Sequence, residues 1–385
     1  MISYGKQNIN KSDIEAVGKA LKSSLITQGS FSLKFENQLA KILKAKHCTV
    51  VSNGTAALNL VSRALKWDKN DLIITTPISF IASSNCIINQ GSTPYFVDID
   101  PITYTIDPNR IEDVIKKNKF IKKKLKAVIG VDYAGHPCDW VSLKYLSKKY
   151  NFNLINDNCH ALGSKLNNDT GYALRYADIA TLSFHPVKQI TTGEGGAIFT
   201  NNKELNNLFK SLRSHGIYKN RNNFKNNGQW YHEFRELSSN HRLTDFQAAL
   251  GISQLKRLNS FIKKRRTIAK IYNKSFGKDE RFIIPNVKQN IFHSYHLYPL
   301  QINFQNLKIS KKDFFSKMLK KRVKLQVHYI PITFQPLYKK ISKKFNFELN
   351  NAIKFYKREF SIPIYYDLKP SEALSIANLI KKIAI

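Results

Sequence analysis

The chain has 385 residues, of which 42% are hydrophobic, and its formal net charge is +35. This length predicts two or three domains rather than one small core. No apolar run approaches the roughly 20 residues of a membrane-spanning helix, and the polar N-terminus lacks the apolar run of a signal peptide. The four cysteines show no CxxC pair and no dense spacing of a secreted scaffold. We therefore expect a soluble, reduced protein of the cytoplasm with no membrane partner.

The positive charge is spread along the chain, mostly on lysine. Runs of it, such as residues 122–124 and 263–266, lie in apolar-periodic stretches. Such runs are typical of solvated helix faces. A nucleic-acid partner is therefore not expected, whereas weak attraction of an anionic substrate stays open.

Residues 50–200 alternate between short apolar runs and longer helical patterns. Strands are predicted over residues 72–76, 94–98, 127–131, 153–156, 179–184 and 197–200. Helices are predicted between them over residues 55–66, 80–89, 108–117, 141–150 and 203–211. This alternation predicts an α/β fold with a mostly parallel, doubly wound sheet. Ligands of such sheets bind beyond the carboxyl ends of the strands. The side chains expected there are Phe80, Asp157, His160, Ser183, His185 and Lys188.

The last third of the chain does not continue the regular alternation of strands and helices. A helical pattern over residues 254–276 is followed by strand-like residues 296–302 and 324–330, a helical pattern over 311–320, and a final helix after Pro370. We predict a large domain over residues 1–255 and a smaller α+β domain over residues 256–385.

Lys188 lies in a loop after a predicted strand, ahead of the glycine-rich residues 193–196. Lysine forms imines with aldehydes, most readily when burial lowers its pKa, and pyridoxal phosphate (PLP) is such an aldehyde. Taken alone, Lys188 is better explained as an ordinary loop lysine, since 62 residues are Lys or Arg.

Asp157 ends a buried strand that precedes the Lys188 segment, and His160 follows it closely. PLP enzymes need a carboxylate that keeps the pyridine nitrogen protonated. Asp157 is also suited to cap a helix, and His160 to pack as a hydrogen-bonded core residue. The spacing of the nearby cysteines and histidines matches no zinc pattern, so no metal site is predicted.

Gly54 and Thr55 follow a short apolar strand at a predicted helix start. Unpaired N–H groups and the helix dipole favour an anion there, and a hydroxyl adds a donor. Many such turns bind nothing, so this motif gains weight only from the others.

Together these motifs resemble the DegT/DnrJ family of sugar aminotransferases, which are PLP enzymes of fold-type I. The matching segments keep the family's order and cover roughly the first two thirds of the chain. They are residues 25–29, 52–57, 76–80, 96–100, 212–216 and 240–251, with the Asp157 and Lys188 segments.

The resemblance implies a role for each residue. Lys188 would be the Schiff-base lysine and the base that moves the proton, Asp157 would pair with the pyridine nitrogen, and His160 would lie near the ring hydroxyl. Phe80 would stack on the ring, although simple core packing would also explain it. The phosphate would be held by Gly54, Thr55, Ser183 and the partner subunit's Asn240, which implies a homodimer with active sites at its interface.

Within the family the likeness is strongest to C4 aminotransferases of pseudaminic acid synthesis. The implied reaction carries an amino group, with glutamate as donor, to C4 of a UDP-linked 4-keto-6-deoxy-amino sugar. The residues that would border this nucleotide sugar are Tyr4, Thr27, Gln28, Gln326, His328 and Tyr329.

The chain departs from the family pattern in places. Asn156 replaces a common glutamate and Cys159 a common alanine. Ser238, Ser239 and His241 replace Gly-Tyr and Tyr around Asn240, which puts the substrate pocket or the dimer contact in doubt.

Three alternatives stay open. The chain could aminate another carbon, such as C3, or another nucleotide sugar. It could be a PLP-dependent sugar dehydrase, although the C3-deoxygenating members carry histidine in place of the lysine. It could also be a binding protein that kept the fold and lost catalysis, against which the intact Lys188, Asp157 and Gly54-Thr55 set argues.

Overall fold

The computed structural model describes residues 1–218 and 228–384. The strands of these residues are β1 (His47–Val51), β2 (Leu72–Thr75), β3 (Thr93–Phe96), β4 (Leu125–Val131), β5 (Asn153–Asp157), β6 (Lys165–Leu166), β7 (Ile179–Ser183), β8 (Gly196–Thr200), β9 (Ile217–Tyr218), β10 (Glu233–Phe234), β11 (Phe282–Ile283), β12 (Ile291–Phe292), β13 (Pro299–Ile302) and β14 (Glu359–Ser361).

The helices of the same residues are α1 (Lys11–Leu21), α2 (Ser30–Ile42), α3 (Gly54–Ala64), α4 (Ala82–Ile88), α5 (Pro108–Lys117), α6 (Lys119–Lys124), α7 (Trp140–Tyr150), α8 (Tyr172–Tyr176), α9 (Lys203–Leu212), α10 (Asp245–Leu255), α11 (Leu258–Phe276), α12 (Lys311–Lys320), α13 (Pro336–Ser342), α14 (Asn350–Arg358) and α15 (Pro370–Ile383). In this part of the chain, no helix is both long and apolar enough to cross a membrane.

A seven-stranded sheet with the order β1-β8-β7-β5-β4-β2-β3 forms the centre of the fold. The five strands from β7 to β3 run parallel, and β8 runs antiparallel to both of its neighbours. Residues of β2 and β8 are buried throughout, as expected for strands covered by helices on both faces. The predicted α/β fold with a mostly parallel sheet is confirmed.

Polar side chains fix where several helices begin, and this helps to explain why the predicted positions are close to those observed. Asn53 caps α3, Asp139 caps α7 and Asn202 caps α9, each by accepting a backbone N–H of the first turn. Pro108 occupies the first turn of α5, where its missing N–H costs nothing.

A second, smaller core lies in the C-terminal part. The antiparallel sheet β11-β13-β14 packs with α11, α12 and α15 around Tyr298, Phe314 and Phe360. Helix α11 belongs to both cores: Phe261 lies in the main one and Tyr272 in the smaller one. The predicted boundary at residues 255/256 falls between α10 and α11 and remains a prediction.

Two predicted elements differ from the structure. The helix predicted over residues 254–276 is interrupted at residues 256–257, between α10 and α11. There the Arg257 side chain donates a hydrogen bond to Asp13. The predicted strand over residues 324–330 is wrong, because there only Gln326 pairs, in an isolated bridge with Ser361. The chain then leaves the sheet edge and carries the next residues toward the carboxyl ends of the large sheet.

Candidate active site

The carboxyl ends of β5 and β7 bring an acid and a lysine together. The two strands pair in parallel, β5 ends at Asp157, and Lys188 lies in the loop after β7. Asp157 and Cys159 are close enough to Lys188 for their charges to raise its pKa. The same ammonium lowers the pKa of three histidines around it. We call this group the lysine cluster: Lys188, Asp157, Cys159, His160, His296 and His328.

The amine of Lys188 is crowded by protein. Burial lowers its pKa, because removal of water disfavours the ammonium, and this outweighs the charges of Cys159 and Asp157. A lowered pKa leaves more of the neutral amine, which is the nucleophilic form. The backbone N–H of Lys188 donates a hydrogen bond to the backbone carbonyl oxygen of His185 (2.9 Å), which fixes the backbone of this residue. The His185 side chain is exposed, and its expected place at the site stays a prediction.

Asp157 is buried and fixed from two sides. Ser83 Oγ donates to its Oδ2 (2.6 Å), and the N–H of Cys159 donates to its Oδ1 (3.2 Å). Ser83 lies in α4, three residues after Phe80. The sequence reasoning missed Ser83, although this spacing places the two side chains on the same side of a helix start.

His160 packs against His296, another histidine of the lysine cluster. The N–H of Ala134 approaches its Nδ1 (3.3 Å), and its Nε2 lies 3.2 Å from the Tyr329 hydroxyl. Its ring centroid is 4.3 Å from that of His296. Burial is the main cause that lowers the pKa of both rings, with the charge of Lys188 contributing, so both are neutral. His296 was expected only as the start of a strand.

A buried carboxyl group supports the turn that follows β5. Asp132 is fully buried and accepts four hydrogen bonds of 2.7–2.9 Å. Their donors are Cys138 N, Trp140 Nε1, Asn158 Nδ2 and Tyr172 Oη. Because Asn158 directly follows Asp157, this network fixes the backbone beside the site. Burial raises the pKa of Asp132 to about 6, against the lowering effect of the four donors.

Arg265 connects α11 to the loop that carries Lys188. Its guanidinium is buried and donates to the carbonyl oxygens of His296 (3.0 Å), Ile364 (2.7 Å) and Val187 (3.4 Å). Burial lowers its pKa to about 10, which still leaves it charged at neutral pH.

The start of α3 closely approaches the end of β7. A Cβ placed on Gly54 would lie only 2.8 Å from the Cβ of Ser183. The first N–H groups of a helix have no partner within it, so those of Gly54 and Thr55 can receive an anion. Thr55 is exposed and can add its hydroxyl. This narrow cradle, together with the lysine and acid, fits the phosphate, aldehyde and pyridine nitrogen of PLP.

Aromatic residues from distant parts of the chain join the lysine cluster. The ring centroids of Tyr4 and His328 are 5.1 Å apart, and those of Phe80 and Tyr329 are 6.4 Å apart. Phe80 leaves 56% of its surface exposed, which favours a ligand-facing ring over simple core packing. Gln326 is exposed and forms an isolated backbone bridge with Ser361.

Three of the predicted residues, Thr27, Gln28 and Asn240, have other local contacts in this chain. Thr27 forms an isolated bridge with Thr244, and Gln28 follows it with a left-handed backbone (φ 57°). Asn240 is exposed, and its Oδ1 accepts the N–H of Arg242 (3.1 Å). Among the described residues, no hydrogen bond joins Thr27, Gln28 or Asn240 to the lysine cluster.

Comparison with known proteins gives consistent matches over almost the whole chain. Residues 7–381 match the DegT/DnrJ/EryC1/StrS aminotransferase family. The chain is similar to the UDP-4-amino-4,6-dideoxy-N-acetyl-beta-L-altrosamine transaminase of Campylobacter jejuni subsp. jejuni serotype O:23/36 (strain 81-176), with 38% identity over 373 residues, or 97% of this chain and 95% of that protein.

Solved structures give the same result. The fold is similar to that of Helicobacter pylori PseC, an aminotransferase involved in the biosynthesis of pseudoaminic acid, with a TM-score of 0.90, 34% identity and coverage of 100% and 99% of the two chains. It is also similar to the PLP-form of Spr1654 from Streptococcus pneumoniae, with a TM-score of 0.88, 26% identity and coverage of 99% and 98%.

Proposed function

The chain belongs to the DegT/DnrJ/EryC1/StrS aminotransferase family and is a sugar aminotransferase, and from this membership we propose its reaction. An amino group passes from glutamate to C4 of a UDP-linked 4-keto-6-deoxy-amino sugar. The observation that carries the proposal is the half-buried Lys188, with its lowered pKa, beside buried Asp157 at the strand ends. The name of the Campylobacter jejuni relative, a transaminase of a UDP-linked 4-amino-4,6-dideoxy sugar, supports the substrate class.

PLP is the proposed cofactor, and the residues of the site fit it. When bound, PLP supplies an aldehyde that exchanges amino groups and a ring that withdraws electrons. The residues that would hold it are Gly54, Thr55, Phe80, Asp157, His160, Ser183 and Lys188, with the partner subunit's Asn240.

The chain's own side chains provide the remaining chemistry. Neutral Lys188 is the nucleophile toward the aldehyde, and once released it takes and returns the proton at the carbon that bears the amino group. Asp157, held by Ser83, would present a carboxylate to the pyridine N–H. Phe80 would cover one face of the ring, and His160, whose Nδ1 accepts the N–H of Ala134, would lie beside it.

The sugar nucleotide would lie against the segments that converge on the cluster. Tyr4, His328 and Tyr329 contribute aromatic and hydrogen-bonding edges. The proposed contacts of Gln326, Thr27 and Gln28 are assigned to the nucleotide side.

We further propose a homodimer with active sites shared between subunits. Thr27 pairs with Thr244, and Thr27, Gln28 and Asn240 are exposed, so these residues belong to one partly exposed surface. This surface makes no hydrogen bond to its own lysine cluster in the described residues. A second copy would bring Asn240 to the phosphate cradle at Gly54 and Thr55.

The test of the reaction is a visible spectrum of the purified, PLP-loaded protein. Glutamate should remove the absorption band of the lysine-bound cofactor, and a UDP-linked 4-keto-6-deoxy-amino sugar should restore it. If glutamate removes the band and this sugar fails to restore it, the substrate proposal is wrong. If no band forms with added PLP, the cofactor proposal is wrong.

A matched pair of lysine variants controls this experiment. Lys188→Ala should abolish both the band and turnover. Lys203→Ala, at an exposed position that starts α9, should retain both. Normal turnover in the Lys188 variant would contradict the assignment.

Mixed dimers test the shared site. Lys188→Ala and Asn240→Ala chains, unfolded and refolded together, should regain activity, because one site of each mixed dimer then has both native residues. The two variants refolded separately are the controls. If mixing restores nothing, Asn240 does not act across the interface.

A further inference from the structure

A buried carboxyl group lies behind His328 and has no part in the chemistry described above. Glu359 begins β14, and none of its surface is exposed. Its Oε2 accepts a hydrogen bond from the backbone N–H of His328 (3.0 Å), and its Oε1 accepts one from the hydroxyl of Ser361 (2.7 Å). One donor, His328, belongs to the lysine cluster, and the other, Ser361, lies two residues after Glu359.

Ser361 continues this arrangement to the histidine ring. Its Oγ lies 2.8 Å from Nδ1 of His328. When Glu359 is a carboxylate, it accepts the single hydroxyl proton, so the proton between Oγ and Nδ1 belongs to the ring. A neutral imidazole carries only one N–H, which leaves Nε2 with a free lone pair. Burial lowers the pKa of His328 to about 3, so the ring is neutral.

The free edge of His328 faces the site. Its ring packs against Tyr4, and the charge of Lys188 acts on it. In the part of the chain that the structure describes, no group hydrogen-bonds to Nε2 of His328. Ser361 and His328 are both buried, so water competes weakly for these bonds.

We propose that Glu359, in its carboxylate form, and Ser361 are positioning residues that fix His328 in its Nδ1–H tautomer, so that Nε2 accepts a hydrogen bond from a hydroxyl group of the sugar substrate. The ligand in this inference rests on the proposed function, whereas the tautomer does not. A histidine held in the other tautomer would present an N–H to that hydroxyl and would select a different orientation of it.

The direction of the relay depends on the charge of Glu359. Burial raises the pKa of Glu359 to about 8, while the Ser361 hydroxyl and the Lys311 ammonium lower it. A protonated Glu359 would donate to Ser361 and reverse both bonds, which would place the ring proton on Nε2. Glu359→Gln has the hydrogen-bond pattern of the protonated acid at every pH. Its amide oxygen is needed to accept the backbone N–H of His328, so its NH₂ group donates to Ser361.

The decisive measurement is the tautomer of His328, read by nuclear magnetic resonance from protein labelled with ¹⁵N in its histidine rings. His328→Phe identifies the signal by its loss. At about pH 9, above the pKa of Glu359, the native enzyme should carry its proton on Nδ1 and Glu359→Gln on Nε2. The same tautomer in both proteins would overturn the proposal.

Kinetics then test the ligand. At about pH 9, where native Glu359 is a carboxylate, Glu359→Gln should lower kcat/KM for the sugar by about 10- to 100-fold, as misdirected supporting groups do, and leave the half-reaction with glutamate within about 2-fold. Ser361→Ala frees the ring without reversing it and should cost less. The exposed Glu280→Gln is the control and should change neither rate.

A double variant separates positioning from general loss of structure. In a His328→Phe background, Glu359→Gln should cause no further loss, because its effect acts through the ring. A loss that persists there would mean a structural role and would refute the relay. If the tautomers are as expected but the native enzyme does not turn over the sugar, the substrate proposal fails and the relay stands.

Discussion

Gly54 lies where the proposed phosphate cradle is narrowest, and an added methyl group tests the cradle directly. In Gly54→Ala the new Cβ would lie 2.8 Å from Ser183 Cβ and 3.3 Å from its Oγ. Carbon atoms in good contact are about 3.5–4.0 Å apart, so one side must move by several tenths of an ångström. Ser183 is paired with Gly196 in the sheet, so the start of α3 is the side that moves.

The expected size of the effect follows from this displacement. Overpacking of this kind costs about 1–3 kcal/mol. The displaced N–H groups are those proposed to bind the phosphate. If most of the cost falls on binding, PLP affinity drops by about 10- to 100-fold, at 1.4 kcal/mol for each factor of ten.

Titration of the cofactor-free protein with PLP, followed by absorbance, measures this loss. The control is Gly18→Ala in α1, where a Cβ meets nothing within 4 Å. That change should leave PLP affinity unaltered and raise stability by about 0.5–1 kcal/mol, as in other helix interiors. If Gly54→Ala remains folded and binds PLP as tightly as the native protein, the phosphate does not lie at the start of α3.

Three further predictions concern stability, each measured by urea denaturation. Asp132→Asn turns an amide NH₂ toward hydrogen-bond donors and should cost about 2–4 kcal/mol; an unchanged midpoint would refute the need for a carboxylate. Burial lowers the pKa of His136 to about 4, whereas the unfolded chain keeps the ordinary value of 6.5. As the pH falls, the unfolded chain therefore takes up a proton on His136 before the folded chain does. The stability that this residue contributes above pH 6.5 is lost as the pH falls through 4. His136→Gln removes this contribution of at most about 3 kcal/mol, and its midpoint should fall less steeply over that window; equal slopes would contradict the assignment. Arg265→Met leaves the buried carbonyl oxygens of His296 and Ile364 and the part-buried one of Val187 without this donor and should cost about 3–5 kcal/mol, and a loss below about 1 kcal/mol would show that water replaces the guanidinium.

The sequence predicted the parts of the site that follow from local rules. Asp157 and Lys188 could be placed because parallel strands end at one edge of a sheet, and Gly54 because a helix start leaves N–H groups free. Family resemblance then supplied Tyr4, His328 and Tyr329, which the structure brings to the same edge.

The supporting groups could not be predicted in this way. Glu359 and Ser361 belong to a three-residue strand too short for a periodic signal, and they meet His328 across a long sequence separation. Asp132 also collects its donors from several elements. Such contacts are set by the packing of whole elements, and no local pattern encodes them.

Helix α11 has a mechanical consequence. Its 19 residues form one continuous rod of about 28 Å, anchored by Phe261 in one core and by Tyr272 in the other. Arg265, midway along it, is bonded to the carbonyl oxygen that precedes Lys188. Swinging one core against the other would have to bend this rod and break that bond. We therefore expect the substrate to enter through movement of peripheral segments, while the two cores keep their relative positions and do not open by a hinge motion.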